Sequence, residues 1–144
     1  MYKPKVFLDS SVLIAALLSS RGGSFYILTQ MRDGFSFHIN EYVFAEVGEV
    51  LKTKFAAQPH LQKNLFLLLG LANVSTTPNS SRLDVRRAAK VISKNDAPIL
   101  ASALAHCDYL VTLDKEFLEE SILADANKKG LLILTPGSFI QQLL

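Results

Sequence analysis

The sequence has little that would mark an exported or membrane-embedded protein. Its 144 residues include one cysteine, Cys107, and no tryptophan. A single cysteine excludes an intrachain disulfide framework and a cysteine-based zinc site, and it suits the reducing cytoplasm, where we expect this protein. We predict that Cys107 is a small buried hydrophobe. The apolar run at residues 12–18 is far shorter than the roughly 20 residues that span a bilayer, so we expect no membrane segment and see no signal peptide.

Charge is also scarce. Charged residues make up 19% of the chain and the net charge is +2, which by itself points to neither a nucleic acid nor a membrane partner. Hydrophobic residues make up 49%, which excludes a disordered or collagen-like chain and predicts a large core. The length is that of one domain, spanning residues 1–144. The sequence has no zinc-ligand spacing among its histidines, no nucleophile elbow and no phosphate-binding glycine loop.

Short apolar runs alternate with segments of helical periodicity along the whole chain. Strands are predicted at residues 5–8, 35–39, 109–112 and 131–134. Helices are predicted at 11–18, 24–32, 41–54, 60–71, 83–94, 97–106 and 117–127, with a terminal helix from Thr135-Pro136 and a loop at 75–81. This alternation predicts an α/β fold, a three-layer α/β/α sandwich around a central parallel sheet.

Two aspartates follow predicted strands. Asp9 comes directly after the first strand, and Asp114 follows the strand at 109–112. Ligands of parallel sheets bind beyond the carboxyl ends of the strands, so the two side chains meet at one edge if their strands are neighbours. Clustered carboxylates repel one another unless a cation is present, and hard divalent ions prefer oxygen ligands. Each aspartate could equally cap the helix that follows it, but the pair together favours a site.

Two further carboxylates are weaker candidates. Glu46 lies about 100° from the apolar stripe of the helix at 41–54, at the boundary of the buried face, whereas Glu49 lies about 160° away and faces solvent. Asp96 precedes the apolar helix at 97–106, where the helix dipole favours negative charge and capping alone would explain it.

Four segments in order resemble the successive blocks of the PIN-domain nucleases. They are VFLDSSVL at 6–13, FAEVGEVL at 44–51, DAPILASAL at 96–104 and CDYLVTLD at 107–114. The segment LILTPGSF at 132–139 resembles the branch of VapC-like toxins of toxin–antitoxin pairs. Each block is a degenerate pattern, and the resemblance depends on all four occurring together over almost the whole chain.

The resemblance implies a function and a site. It assigns Asp9, Glu46, Asp96 and Asp114 to an acidic quartet that binds Mg²⁺ or Mn²⁺ and cuts single-stranded RNA endonucleolytically. In our hypothesis the three aspartates hold the metal, and Glu46 orients a metal-bound water or binds through water. The resemblance also implies an antitoxin partner and a homodimer. Two positions depart from the family pattern: Ser11 stands where asparagine is common, and Lys94-Asn95 where acidic residues are common.

A row of cations precedes Asp96. Arg82, Arg86, Lys90 and Lys94 recur every four residues and would form one ridge on a helix over 83–94, which could track RNA phosphates toward the metal. An ordinary solvated helix face explains the same spacing.

Other functions fit parts of the pattern. A receiver-like signalling domain would need an aspartate after the second strand, where this chain has Asn40. A PIN-fold domain that binds RNA or protein without cutting is a second alternative. Apolar residues of the helix at 60–71 either form a homodimer surface or belong to the core, namely Leu61, Leu65, Phe66 and Leu68.

Overall fold

The structure, a computed structural model, describes residues 2–144. Five strands are found, each short and followed by helical chain: β1 Lys5–Leu8, β2 Ser36–Ile39, β3 Ser75–Thr76, β4 Tyr109–Val111 and β5 Leu132–Leu134. The helices are α1 Ser10–Leu18, α2 Gly23–Gln30, α3 Glu41–Lys54, α4 His60–Leu71, α5 Arg82–Ala88, α6 Ala97–His106, α7 Glu120–Lys128 and α8 Pro136–Leu143.

The strands form one parallel sheet in the order β3-β2-β1-β4-β5, with β1 at the centre. β1 and β4 are direct neighbours, with Leu8 opposite Val111. The condition for bringing Asp9 and Asp114 to one edge of the sheet is therefore met. Every parallel connection passes through helical chain, as a parallel sheet requires.

Helices cover both faces of the sheet. Val6, Phe7 and Leu8 of β1 are all fully buried, and because successive side chains of a strand point to opposite faces, neither face is open to solvent. Helices α1 to α4 pack against one another, α8 packs on α2, and α5 packs on α6, which contacts β1. The predicted three-layer α/β/α class is confirmed.

Most predicted elements are present, with shifts at their ends. β1, α3, α4 and α6 have the predicted bounds. The segment at 75–81, predicted as loop, contributes the two-residue edge strand β3, which pairs with β2 through His38 and Ile39. The helix predicted at 117–127 begins only at Glu120, because the preceding residues form turns that bury Phe117 completely.

The predicted helix at 83–94 is wrong in its second half. α5 ends at Ala88, and the amides of Lys90 and Val91 then bond three residues back instead of four, to Arg87 and Ala88. Ser93 is held by Glu116, whose carboxylate accepts both its amide and its hydroxyl at 3.0 and 2.7 Å. These tight turns break the helical spacing that the predicted cation ridge requires.

Within residues 2–144, no single helix is long and apolar enough to cross a membrane. α1 and α2 together meet the length and composition, but they are bent by 95° relative to each other.

Candidate active site

Asp9 lies at the carboxyl end of β1 and is 3% exposed. Its Oδ1 accepts the amide of Ser10 at 2.8 Å, which caps α1. Its Oδ2 accepts the hydroxyls of Ser11 at 2.9 Å and Thr112 at 2.7 Å. Burial raises the pKa of Asp9, these hydrogen bonds oppose the shift, and the nearby charge of Glu46 adds to it. Asp9 is thus both a helix cap and a fixed, poorly solvated carboxylate.

Two hydroxyls join the ends of β1 and β4. Besides binding Asp9, the Thr112 hydroxyl accepts the amide of Asp114 at 3.0 Å, and the Ser11 hydroxyl accepts the amide of Leu113 at 3.0 Å. The shorter Ser11 side chain, in the position where the family commonly has asparagine, therefore links the loop after β4 to Asp9. This network fixes the backbone that carries Asp114.

Glu46 is solvent-exposed on α3, at the edge of the buried face formed by Val43 and Val47. The Ser10 hydroxyl donates a hydrogen bond to its Oε1. This contact ties α3 to the start of α1, so a residue that periodicity places only near the boundary is directed toward Asp9.

Asn40 positions the helix that carries Glu46. Its side chain is fully buried, and its oxygen accepts the amide of Val43 at 3.0 Å to cap α3. Its amide nitrogen donates to the Pro98 carbonyl at 3.3 Å and to the Ser102 hydroxyl at 2.9 Å, both on α6. One amide thus joins the start of α3 to α6, the helix that follows Asp96.

Asp96 precedes α6, but its side chain makes no capping hydrogen bond. Burial, a side-chain hydrogen bond with Glu116 and the negative charges of Asp114 and Asp9 raise the pKa of Asp96 to about 8. The same hydrogen bond, with those from Ser93, lowers the pKa of Glu116. The protonated form of Asp96 and the ionised form of Glu116 are therefore favoured. Capping, the simpler explanation of Asp96, does not account for its position.

The four predicted carboxylates line one cavity of about 300 Å³ at the carboxyl edge of the sheet. Its lining is Asp9, Ser10, Ser11, Ile14, Glu46, Val50, Asp96 and Asp114. Across the described chain, residues 2–144, no three acidic, histidine or cysteine side chains are already close enough to hold one metal ion. The quartet surrounds a common space but does not converge on one point.

Three further residues of the site escaped the sequence interpretation. Glu116 contacts Asp96, and its amide donates to Asp114 at 3.0 Å. Its position two residues after Asp114 is the signal that could have revealed it. Thr112 and Ser10 carry no such signal, because a hydroxyl residue within two positions of an aspartate is ordinary capping chemistry.

Only two of the four predicted RNA-binding residues lie beside the site. Arg86 and Lys94 line a larger cavity of about 670 Å³ beside the carboxylates, whereas Arg82 and Lys90 do not. Arg82 and Arg86 lie on α5, and Lys90 and Lys94 lie in the turns after it. The structure brings two of the four to the neighbourhood of the site, and the single ridge does not form.

Cys107 is half-buried against the core, and burial raises the pKa of its thiol to about 12. The thiol is therefore protonated at neutral pH and is a poor nucleophile. This agrees with the packing role predicted for it.

Fold and site together define an α/β domain with an acidic cavity beyond the carboxyl ends of its central strands. Residues 6–120 match the family model of the PIN domain. The chain belongs to the PIN domain family, whose members are generally nucleases, and this excludes the receiver-like alternative.

Solved structures share the fold at low sequence identity. VapBC2 from Rickettsia felis, crystallised bound to a DNA fragment from their promoter, is 18% identical with a TM-score of 0.69, covering 91% of this chain and 98% of that one. PAE2754 from Pyrobaculum aerophilum is 18% identical with a TM-score of 0.70, covering 97% and 95%. FitAcB from Neisseria gonorrhoeae is 17% identical with a TM-score of 0.60, covering 92% and 98%. No curated protein sequence matches significantly.

The donor chemistry of the cavity fits a hard divalent cation, the kind that PIN nucleases generally use. Its candidate ligands are all oxygen atoms, and their mutual repulsion contributes to the raised pKa values of Asp9 and Asp96. Positive charge would relieve that repulsion, and Mg²⁺ usually retains several waters, so few direct protein ligands are needed.

Proposed function

We propose that this PIN domain is a Mg²⁺- or Mn²⁺-dependent endoribonuclease that hydrolyses phosphodiester bonds of single-stranded RNA. The observation that carries the proposal is the shared cavity of Asp9, Glu46, Asp96 and Asp114 at the carboxyl edge of the sheet. Each comes from a different segment of the chain, so their common cavity is a product of the fold and not of local sequence.

Asp9, Asp96 and Asp114 would hold the cation, and Glu46 would reach it through water or orient a water. When bound, the cation supplies the charge neutralisation and water activation that phosphodiester hydrolysis requires. Asp9 is well suited to this role because its Oδ2 is fixed by two hydroxyl donors. These two bonds occupy both lone pairs of Oδ2, so a cation would bind at Oδ1, which accepts the Ser10 amide at 2.8 Å.

Asp96 would retain or release a proton beside Glu116. At neutral pH that proton neutralises one charge of the pair, because the pKa of Asp96 is raised to about 8. Cation binding favours the ionised form of a ligand and would displace the proton. Metal affinity is therefore expected to increase with pH.

The basic side chains beside the acidic cavity support RNA as the substrate. Arg86 and Lys94 are exposed and line the adjoining cavity, where they could contact phosphates. Arg82 and Lys90 do not line that cavity and would add at most peripheral phosphate contacts.

The test is cleavage of labelled single-stranded RNA with Mg²⁺, with Mn²⁺ and with EDTA, beside duplex RNA and single-stranded DNA. We expect internal cuts in single-stranded RNA only when metal is present, and loss of the cuts in Asp9→Asn and Asp96→Asn. The matched control is Asp33→Asn, an exposed aspartate in the loop before β2. Metal-independent cleavage that survives Asp9→Asn would contradict the proposal.

The alternative is a PIN domain that binds RNA or protein without cutting. It is favoured by the finding that no three metal-binding side chains within residues 2–144 are already close together. Calorimetric titration with Mn²⁺ separates the two. A domain that binds RNA but neither binds Mn²⁺ nor cleaves would establish the alternative.

We further propose that the nuclease is the toxin of a toxin–antitoxin pair and works in the cytoplasm. Support comes from the segment at 132–139 and from the fold shared with VapBC2 and FitAcB. A small DNA-binding protein encoded beside this chain should bind it and block cleavage. Growth arrest on expression, absent in Asp9→Asn and relieved by that neighbour, is the expected result; normal growth with an active nuclease would contradict it.

A homodimer is proposed through α4. Leu61, Leu65 and Leu68 are buried in the core, so they are not available for a dimer. Phe66, 61% exposed, packs against the ring of Phe44 on α3 at a centroid distance of 5.9 Å. Sedimentation should give a dimer that Phe66→Glu dissociates; a monomer at micromolar concentration would refute this.

A further inference from the structure

A cavity larger than that of the carboxylates lies beside them, between α3 and the segment that runs from α5 into α6. Its volume of about 670 Å³ is in the range of about 300–1,000 Å³ that is typical of small-ligand sites. Its floor is apolar and includes Val85 and Pro98, while its polar rim includes Tyr42, Arg86 and Lys94. An apolar floor with cations at the rim suits a ligand that has a flat ring and a negative charge.

The two cavities adjoin at Glu46, which lines both. Tyr42, Glu46 and Glu49 recur at positions i, i+4 and i+7 of α3, so they lie on one face of that helix. A strand of nucleic acid whose scissile phosphate is held at the carboxylates would therefore have its neighbouring nucleotide at this face.

Tyr42 offers an unoccupied ring. It is 52% exposed, and in the part of the chain that the structure describes it pairs with no other aromatic ring and makes no hydrogen bond through its hydroxyl. Aromatic side chains in this situation are the platforms on which bases of single-stranded nucleic acids stack.

Arg86 and Lys94 offer uncommitted charge. Neither has a carboxylate within 4.0 Å, judging from the ion pairs found in residues 2–144. Arg87, the next residue of α5, differs on both points: it pairs with Asp84 at 3.8 Å and lines another cavity. We therefore expect Arg86 to contribute to ligand binding in this cavity and Arg87 not to. The two adjacent arginines form a matched pair for a test.

We propose that this cavity is a nucleotide subsite for single-stranded RNA, with Tyr42 stacking on the base next to the scissile phosphate and Arg86 and Lys94 contacting the flanking phosphates. The inference rests on the proposed nuclease function and deepens it. Glu49, the remaining anion of the lining, opposes a phosphate and limits the affinity of the subsite.

The test is fluorescence anisotropy with short labelled oligoadenylate and oligouridylate in EDTA, where no cleavage occurs. Tyr42→Ala should weaken binding about fivefold or more, and Tyr42→Phe should restore it, because stacking needs the ring and not the hydroxyl. Tyr26→Ala, which removes an exposed tyrosine from α2, is the control and should leave binding unchanged.

The charged residues are tested through salt dependence. Arg86→Ala and Lys94→Ala should each reduce the slope of log affinity against log salt by about 0.7, the value of one single-strand phosphate contact, and Arg87→Ala should not. Glu49→Gln should strengthen binding. Thermal melting of every variant checks that these exposed substitutions leave the fold intact.

The outcomes separate the subsite from the nuclease. The subsite would be overturned if RNA binding did not change in Tyr42→Ala, or if it weakened equally in Arg86→Ala and Arg87→Ala. Metal-dependent cleavage by the same protein would still support the nuclease. RNA binding that depends on Tyr42 in a protein that neither binds Mn²⁺ nor cleaves would support the subsite and refute the nuclease. Absence of any RNA binding would overturn the subsite.

Discussion

Asp9 and Asp108 lie at opposite ends of the paired strands β1 and β4, and their surroundings differ in kind. Asp108, at the amino end, accepts the backbone amide of Lys5 at 2.9 Å and a hydrogen bond from the Tyr2 hydroxyl. The Tyr2 bond and then the Lys5 amide lower the pKa of Asp108. Asp9, at the carboxyl end, is buried near other carboxylates, and its pKa is raised.

The two aspartates show how a carboxylate with a structural role differs from one in a candidate metal site. At the amino edge, neutral hydrogen-bond donors stabilise the ionised form of Asp108, so this carboxylate needs no bound cation. At the carboxyl edge, even three hydrogen bonds do not offset the burial of Asp9, and the pKa of Asp96 is raised beside Glu116. Perturbed carboxylates in a cleft are typical of functional sites. Four predictions test this contrast.

The largest effect is expected on catalysis. Asp9→Asn keeps the size of the side chain but removes a metal ligand, so RNA cleavage should fall more than about 100-fold, which is beyond the effect of altering a residue that merely supports a ligand. Asp108→Asn, on the other edge, should cleave like the unaltered protein. Initial rates with Mn²⁺ measure both. Comparable losses in the two variants would abolish the distinction between the edges.

The second effect concerns Thr112, which positions Asp9 and the amide of Asp114 without itself facing the cavity. Thr112→Val removes the hydroxyl and should lower Mn²⁺ affinity about 10–100-fold, as loss of a ligand-supporting hydrogen bond does. Thr112→Ser keeps the hydroxyl and should retain most of the affinity. Calorimetry measures the affinity and thermal melting measures stability. A loss of stability in Thr112→Val at unchanged affinity would show that Thr112 is only structural.

The third effect is a pH dependence of stability with opposite signs at the two edges. Because the pKa of Asp96 is raised to about 8, the folded protein binds a proton that the unfolded chain has already released, so the free energy of unfolding falls as pH rises from about 4 to about 8. Mn²⁺ binds the ionised form, so its stabilising effect should grow over the same window.

Melting temperatures at about pH 6 and about pH 8 check this, with and without Mn²⁺. At pH 8, ten times the dissociation constant of Mn²⁺ should add roughly 1.4 kcal/mol, or about 3–6 °C. Asp96→Asn is the control, because it lacks the titrating group. A Mn²⁺ effect independent of pH, or one that survives in Asp96→Asn, would show that this carboxylate does not take part in binding.

The residue pattern predicts most of the sheet and the meeting of Asp9 and Asp114 at its edge, whereas Glu46 and Asp96 are assigned to the quartet through the family resemblance. Apolar runs followed by aspartate mark the carboxyl ends of strands, and the periodicity at 41–54 and 97–106 gives the bounds of α3 and α6 as observed. These features are local or nearly so, and single-chain patterns capture them. The four predicted carboxylates lie in separate segments, and only the packing of the sheet and helices brings them to one cavity.

What the sequence could not supply depends on contacts between distant segments. The helix predicted at 83–94 ends early where Glu116, 23 residues beyond Ser93, binds both polar groups of that serine. β3 has two residues and no apolar pattern, so only its pairing with β2 defines it. The link from Asn40 to α6 likewise joins residues 58 and 62 apart. No periodicity encodes such contacts.

The smallest effect is expected at the amino edge. Asp108→Asn weakens the bonds from Tyr2 and Lys5 on a partly exposed surface, so it should cost less than about 1 kcal/mol. Because the pKa of Asp108 is lowered, its stabilising contribution is present above the ordinary pKa of an aspartate and is lost as pH falls through the lowered value. Urea unfolding at neutral and acid pH should therefore show a difference between Asp108→Asn and the unaltered protein that shrinks at acid pH, with Mn²⁺ having no effect on it. A difference that instead grew toward alkaline pH, or that Mn²⁺ removed, would place Asp108 with the carboxylates of the other edge.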